Sequence, residues 1–406
     1  MPLSYRLGGL VITDHDFQLP LDHAQPDGPQ LQVFAREVAD PDGLQRPYLV
    51  YFQGGPGFEA GRPVNPPAWL ERALRDYRVL LLDQRGTGRS TPVGTLPGLT
   101  PQQQADYLRH FRADSIVRDA ERIREALGVE RWSVLGQSFG GFCVTTYLSF
   151  APDGLREAFI TGGLPPIGRP TEDVYRATYR RVMDRNRRFY ARHPEHLEQV
   201  RAIHRLLQQE DVRLPSGDRL TSRRFQQVGQ SMGMGAGLEQ LHYLLDFPAG
   251  SPAFLHGVEA AFGFARNPLY AVIHEACYAD GVVSGWAAER VQPPEFPEEY
   301  FTGEMVYPWM FEESSALRPL REAAHLLAQE RWPRLYDIHQ LRQNRVPVAA
   351  IAYTDDMYVE RAFSEETAAE IRNMRLWLTS EYEHNGLSVD GEHILGRLIE
   401  RVREPL

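Results

Sequence analysis

A serine stands between two glycines at Gly136-Gln137-Ser138-Phe139-Gly140, with Trp132, Val134 and Leu135 before it and the apolar run Phe142 to Leu148 after it. The first run reads as the end of a buried strand and the second as the start of a helix, which places the serine at the corner between them. So sharp a corner strains its central residue and tolerates only small neighbours, hence the two glycines. It also sets the Ser138 hydroxyl at a helix N-terminus, where backbone N–H groups and the helix dipole favour negative charge. The chemistry open to such a residue is nucleophilic attack by an exposed, rigidly held oxygen.

The same pattern recurs at Gly229-Gln230-Ser231-Met232-Gly233. Here the preceding SRRFQQV is polar and charged and the following GMGAG is rich in glycine, so no strand and no helix frames it. The second match reads as a coincidence in a loop, and context selects Ser138.

The elements that must position this serine follow a regular rhythm. Residues 5 to 38 alternate strand-like runs with the turn cluster AQPDGPQ, which predicts antiparallel strands opening a sheet. Tyr48 to Phe52 and Tyr77 to Leu82 are continuous apolar runs, as strands covered on both faces should be. The first ends in Gln53-Gly54-Gly55-Pro56-Gly57 and the second in DQRGTGRS at 83 to 90. A helix is expected across Ser115 to Leu127, a strand over Ala158 to Thr161, and further strands over Val346 to Tyr353 and Met374 to Leu378 before a closing helix. From about 170 to 340 the chain turns rich in arginine, glutamate and aromatic residues with helical periodicity. The organisation is therefore an α/β core with a mostly parallel sheet, residues 1–165 and 341–406, interrupted by a helical cap at 166–340. Ligands should bind between core and cap.

Composition narrows the function. With 406 residues, 42% of them hydrophobic, the chain can bury a large core. A formal net charge of −10 argues against nucleic acid as a partner. All 44 basic residues are arginine, which removes Schiff-base and PLP chemistry, the phosphate-loop lysine and Ser-Lys hydrolysis together. Cys143 and Cys277 form no pair motif and no metal cluster, so neither a cofactor nor a metal is expected. No charged-then-apolar leader and no apolar run of about 18 residues is present. The expectation is a cytoplasmic protein without a membrane partner, its oligomeric state left open.

Taken jointly, the GGPG loop at 54 to 57, DQRGTGRS at 83 to 90, GQSFGGF at 136 to 142, YTDDMYVE at 353 to 360 and SEYEH at 380 to 384 resemble the α/β-hydrolase fold. More narrowly they resemble the proline iminopeptidases of about 400 residues. One departure is Gln53, where many members of that family have histidine. The resemblance implies a serine aminopeptidase acting on short peptides with N-terminal proline through an acyl-enzyme. Alternatives are a carboxylesterase or amidase with a differently lined cap, or a ligand-binding protein that keeps the fold without the chemistry.

The chain order Ser, acid, His that the fold implies restricts the partners of Ser138. Ten of the thirteen histidines precede the last two strands, and His339 precedes the acid as well. His384 lies in the loop after the last strand and His393 within the closing helix, so His384 is the expected base. Asp355 and Asp356 both follow the strand ending at Tyr353. Asp356 is chosen for the apolar residues after it, and Asp355 stays open as the second choice. The oxyanion is expected at the backbone N–H groups of Gly55 and Phe139. Glu275 and Glu304, in aromatic-rich cap segments, are the expected partners of the substrate's ammonium, since a buried cation needs opposite charge. Asp83, Arg85 and Arg89 read as braces for the loop beside the elbow.

Overall fold

Alternate side chains of a doubly covered strand must each find a core, and the apolar runs do so. Val50, Phe52, Leu80, Leu82 and Val134 join one hydrophobic core with the helices Ala113–Ala126 and Phe139–Phe150. Leu49, Tyr51, Val79, Leu81 and Leu135 join a second with the helices Ala68–Leu74 and Gly391–Arg403. The computed structural model describes residues 3–404.

The strands are β1 Leu3–Leu7, β2 Leu10–Pro20, β3 Gln30–Ala39, β4 Tyr48–Phe52, β5 Arg78–Asp83, β6 Trp132–Gln137, β7 Leu155–Thr161, β8 Val348–Tyr353 and β9 Met374–Thr379. They form one sheet in the order β1-β2-β3-β5-β4-β6-β7-β8-β9. The first four in that order pair antiparallel, and β5 onward pair in parallel. The chain is thus of the α/β class with a mostly parallel sheet. Strand β1 was not anticipated, although Leu3, Tyr5 and Leu7 alternate with Ser4 and Arg6; it is a five-residue edge strand, exposed throughout and paired only with β2.

Among the described residues, 162–347 contribute no strand to this sheet. The segment holds the helices Thr171–Arg192, Glu195–Gln209 and Gly237–Leu245 among others, and its two isolated bridges, Arg213 to Arg219 and Val283 to Arg331, pair within the segment. The long helix Thr171–Arg192 is clasped to the loops after β8 and β9. Arg181 forks onto Glu360 with both bonds at 2.8 Å, Arg185 pairs with Glu383 and donates to the Asp355 carbonyl at 2.9 Å, and Arg188 reaches Asp355 Oδ2 at 3.0 Å. Positions 181, 185 and 188 lie on one helix face.

The loop after β5 is cross-braced. The Asp83 carboxylate accepts from Arg62 at 2.8 and 2.7 Å and from the Arg89 backbone N–H at 2.9 Å. Arg85 is fully buried, forked onto Asp119 at 2.7 and 2.6 Å and donating to the carbonyls of Pro20, Leu21 and His110. Arg89 pairs with Asp14 at 2.8 Å. No helix among the described residues is long and apolar enough to cross a membrane.

Candidate active site

Strand β6 ends and the helix Phe139–Phe150 begins around one residue, Ser138, held at φ 54° and ψ −124°. A non-glycine residue at positive φ costs on the order of 1–3 kcal/mol, so its surroundings must impose it. Ser138 donates its backbone N–H to the Thr161 carbonyl at 2.9 Å, and its own carbonyl accepts from Gly141 at 2.7 Å. A β-carbon on Gly136 would strike the Gly140 carbonyl, and one on Gly140 would strike the Phe52 carbonyl. The corner therefore closes only over glycine.

The loops after β8 and β9 bring two side chains to this serine. His384 Nε2 lies 2.9 Å from Ser138 Oγ, and His384 Nδ1 lies 2.7 Å from Asp356 Oδ2. The other Asp356 oxygen accepts the backbone N–H groups of Tyr358 and Val359 at 2.8 and 3.0 Å. A carboxylate accepts only, which puts the His384 proton on Nδ1 and leaves the Nε2 lone pair facing the serine hydroxyl. Burial works against a charged His384, but the adjacent Asp356 and the nearby Glu304 outweigh it, so the pKa of His384 is raised above its ordinary 6.5. Asp355 faces away, and the Arg188 hydrogen bond holds its carboxyl below the usual range. His393 packs edge-on against Trp377 at 5.8 Å. Ser231 sits in a 3-10 helix, Gln227–Gly233, rather than in a loop, and no strand leads into it.

The glycine loop after β4 lies against the corner: a β-carbon on Gly54 would be 3.1 Å from Ser138 Cβ. Gly55 adopts φ +132°, and its N–H has no acceptor among the described residues. With the N–H of Phe139 at the first turn of the helix, this leaves two backbone donors beside the serine.

Glu304 borders the same site. Its Oε1 accepts from Tyr270 Oη at 3.0 Å, and His274 Nε2 stands 3.4 Å from Oε2. Burial pushes its carboxyl up, but the potential of His274 and His384 and the Tyr270 hydroxyl prevail and lower its pKa. Glu304 and Tyr358 line a largely apolar cleft of about 640 Å³ together with Met234, Leu241, Leu244 and Phe247. Tyr358 packs on His384 with ring centroids 4.6 Å apart, so the cleft and the serine site adjoin. Glu275 is placed otherwise. Its Oε2 accepts from the Ala288 N–H at 3.3 Å, at the start of the short helix Ala287–Arg290, and burial raises its pKa.

The "alpha/beta hydrolase fold" family profile matches residues 47–257. The chain is 52% identical to the proline iminopeptidase of Aeromonas sobria over 99% of both chains. It belongs to the proline iminopeptidase family. A second proline iminopeptidase, from Aspergillus aculeatus, is 34% identical over 94% of this chain and 91% of its own length. The crystal structure of the Mycobacterium smegmatis proline iminopeptidase aligns with 96% of this chain and 99% of its own at 15% identity, with a TM-score of 0.48.

In this member of the proline iminopeptidases, four site residues escaped the sequence reading: Tyr270, His274, Tyr358 and Gln230. Gln230 donates to Tyr270 Oη at 2.8 Å and accepts from Tyr358 Oη at 2.5 Å, linking the wall of the site into one network. A signal for part of it existed. Tyr270, His274 and Tyr278 recur every four residues, and their rings stand 5.0 and 5.8 Å apart along one face.

Proposed function

We propose that this chain is a serine aminopeptidase that releases N-terminal proline from short peptides. The observation that carries the reading is the relay from Asp356 through His384 to Ser138, with Glu304, held by Tyr270 and His274, beside it. In the proposed mechanism His384 takes the Ser138 proton as the oxygen attacks the prolyl carbonyl, and Asp356 holds the imidazole in the required tautomer. The tetrahedral oxyanion is received by the N–H groups of Gly55 and Phe139, each worth about 10²- to 10³-fold in rate. The imidazolium returns the proton to the leaving nitrogen, a prolyl ester of Ser138 remains, and water activated by His384 hydrolyses it.

Glu304 explains the preference for a free N-terminus. An ammonium drawn out of water needs a countercharge, and Glu304 is the carboxylate that lines the cleft. The rings of Tyr270 and Phe58, 5.4 Å apart and tilted 59° to one another, offer an aromatic corner for a proline ring. Glu275 spends only one oxygen on the N–H of Ala288, at 3.3 Å, and keeps Oε1 buried without a partner among the described residues, so it stays a second candidate for the ammonium.

A panel of Pro-, Ala- and acetyl-Pro-naphthylamides beside a simple acetate ester tests the reading. Pro-naphthylamide should be cleaved well and its acetylated form poorly. Equal turnover of the two would show that no charged end is recognised and would favour a general amidase.

A further inference from the structure

Three histidines and a glutamate that the mechanism leaves unused converge within the helical segment. His193 follows the helix Thr171–Arg192, Glu195 and His196 open the helix Glu195–Gln209, and His242 lies on the helix Gly237–Leu245. One ligand-capable atom from each lies within 4.8 Å of all the others. His193 Nδ1 is 3.5 Å from Glu195 Oε1, and His196 Nε2 is 2.7 Å from His242 Nδ1.

The tautomer of His196 is fixed from behind. The Gln199 side-chain amide donates to the Leu245 carbonyl, which turns its Oε1 toward His196 Nδ1 at 2.7 Å. An amide oxygen accepts only, so Nδ1 carries the proton and the Nε2 lone pair points into the cluster. Histidines that bind metal are held in this way, the remote N–H donated to an oxygen while the other nitrogen faces the ion. The ring is buried and stacked on Phe189, with centroids 5.6 Å apart and planes 5° from parallel.

We propose that His193, Glu195, His196 and His242 bind one divalent transition-metal ion of the Zn²⁺ type. Three imidazole nitrogens and a carboxylate oxygen form a four-coordinate donor set suited to zinc, whereas Mg²⁺ and Ca²⁺ select oxygen shells. Bonds of about 2.0–2.1 Å in a tetrahedron place neighbouring donors about 3.4 Å apart. The His193 and Glu195 atoms already stand at 3.5 Å, the His196–His242 pair, at 2.7 Å, has to open by about 0.7 Å, and the His193 ring, stacked on His242 with planes 19° apart, has to turn so that both lone pairs meet at the ion. Glu195 is 60% exposed and gives the ion access from solvent. Binding ties the corner between two consecutive helices to the helix Gly237–Leu245, whose Gln240, Leu241 and Leu244 line the cleft beside Glu304. The ion is a staple on the cleft wall and takes no part in acyl transfer.

The test uses tag-free, chelator-treated protein titrated with Co²⁺ and then Zn²⁺. The proposal expects one equivalent of cobalt with the visible bands of a four-coordinate site, displaced by zinc. It also expects a rise in Tm of about 3 °C at roughly 100-fold excess over Kd, and none with Mg²⁺ or Ca²⁺. His242→Gln and Glu195→Gln should weaken binding by about 100-fold and about 10-fold respectively. Both should keep the parent's metal-free turnover of Pro-naphthylamide, which reports that they are folded; Glu195, being exposed, provides this control even if His242→Gln unfolds. Uptake of less than one equivalent, or cobalt bands unchanged in the folded variants, would overturn the proposal.

Discussion

Replacing Glu304 with glutamine keeps the size of the side chain and an acceptor for Tyr270 but removes the charge. If the substrate ammonium comes within about 4 Å of this carboxylate, their attraction at an effective dielectric near 20 is about 4 kcal/mol. Glu304 is 15% exposed, so part of this is screened. A net loss of about 2–4 kcal/mol corresponds to roughly a 30- to 1000-fold fall in kcat/KM for Pro-naphthylamide, at about 1.4 kcal/mol per decade. A neutral acetate ester should lose little, because it carries no ammonium. The pH profile supplies a second readout. His384 must be neutral to act as base, and its pKa is raised in part by Glu304. The parent's kcat/KM should therefore fall as pH drops through a value above 6.5, and Glu304→Gln should move that acid limb to lower pH. Steady-state kinetics across pH with both substrates measure the two effects. If the variant cleaves Pro-naphthylamide within twofold of the parent and its acid limb does not move, Glu304 neither holds the ammonium nor acts on His384.

Ser138→Ala should abolish hydrolysis with the fold retained by circular dichroism, while Ser231→Ala should leave turnover unchanged. Asp356→Asn is expected to lower kcat by about 10⁴-fold, because an amide in place of the carboxylate selects the wrong imidazole tautomer; Asp355→Asn, which loses half-exposed ion pairs to Arg188 and Arg181 and no contact to His384, should stay within about threefold. Arg85→Ala leaves Asp119 buried without its fork, and denaturant unfolding should show a loss of about 3–5 kcal/mol.

The parts of the chain legible in sequence are those where local pattern and tertiary environment agree. Strands β4 and β8 are apolar throughout because both faces are covered, and the Ser138 corner shows because strand, glycine pair and helix lie consecutively. The helix read from Ser115 begins at Ala113, since its first turn carries too few apolar residues to mark it. The choice between Asp355 and Asp356 turns on which of two adjacent carboxylates faces the histidine, and the three arginines that hold Asp355 outward lie some 170 residues earlier. The glutamates were ranked alike by their aromatic surroundings. What separates them is the hydrogen bond of Glu275 to Ala288 and that of Glu304 to Tyr270, and neither follows from spacing. The histidine cluster is silent in sequence for a similar reason, because His242 lies 46 residues beyond His196.

The arginine face of the helix Thr171–Arg192 limits which segments this chain could exchange with a relative. Arg181, Arg185 and Arg188 hold Glu360, Glu383 and Asp355, which flank Asp356 and His384, the proposed acid and base, along the chain. A segment transplanted from a relative without arginine at these three places would leave the three carboxylates crowded and unneutralised, and the two loops that set the 2.7 and 2.9 Å spacings would lose their anchor. In this chain the helix Thr171–Arg192 and the loops after β8 and β9 are thus coupled as one unit. New substrate preferences have to arise on the surfaces that line the cleft, where Met234, Leu241 and Phe247 can change without touching the clasp.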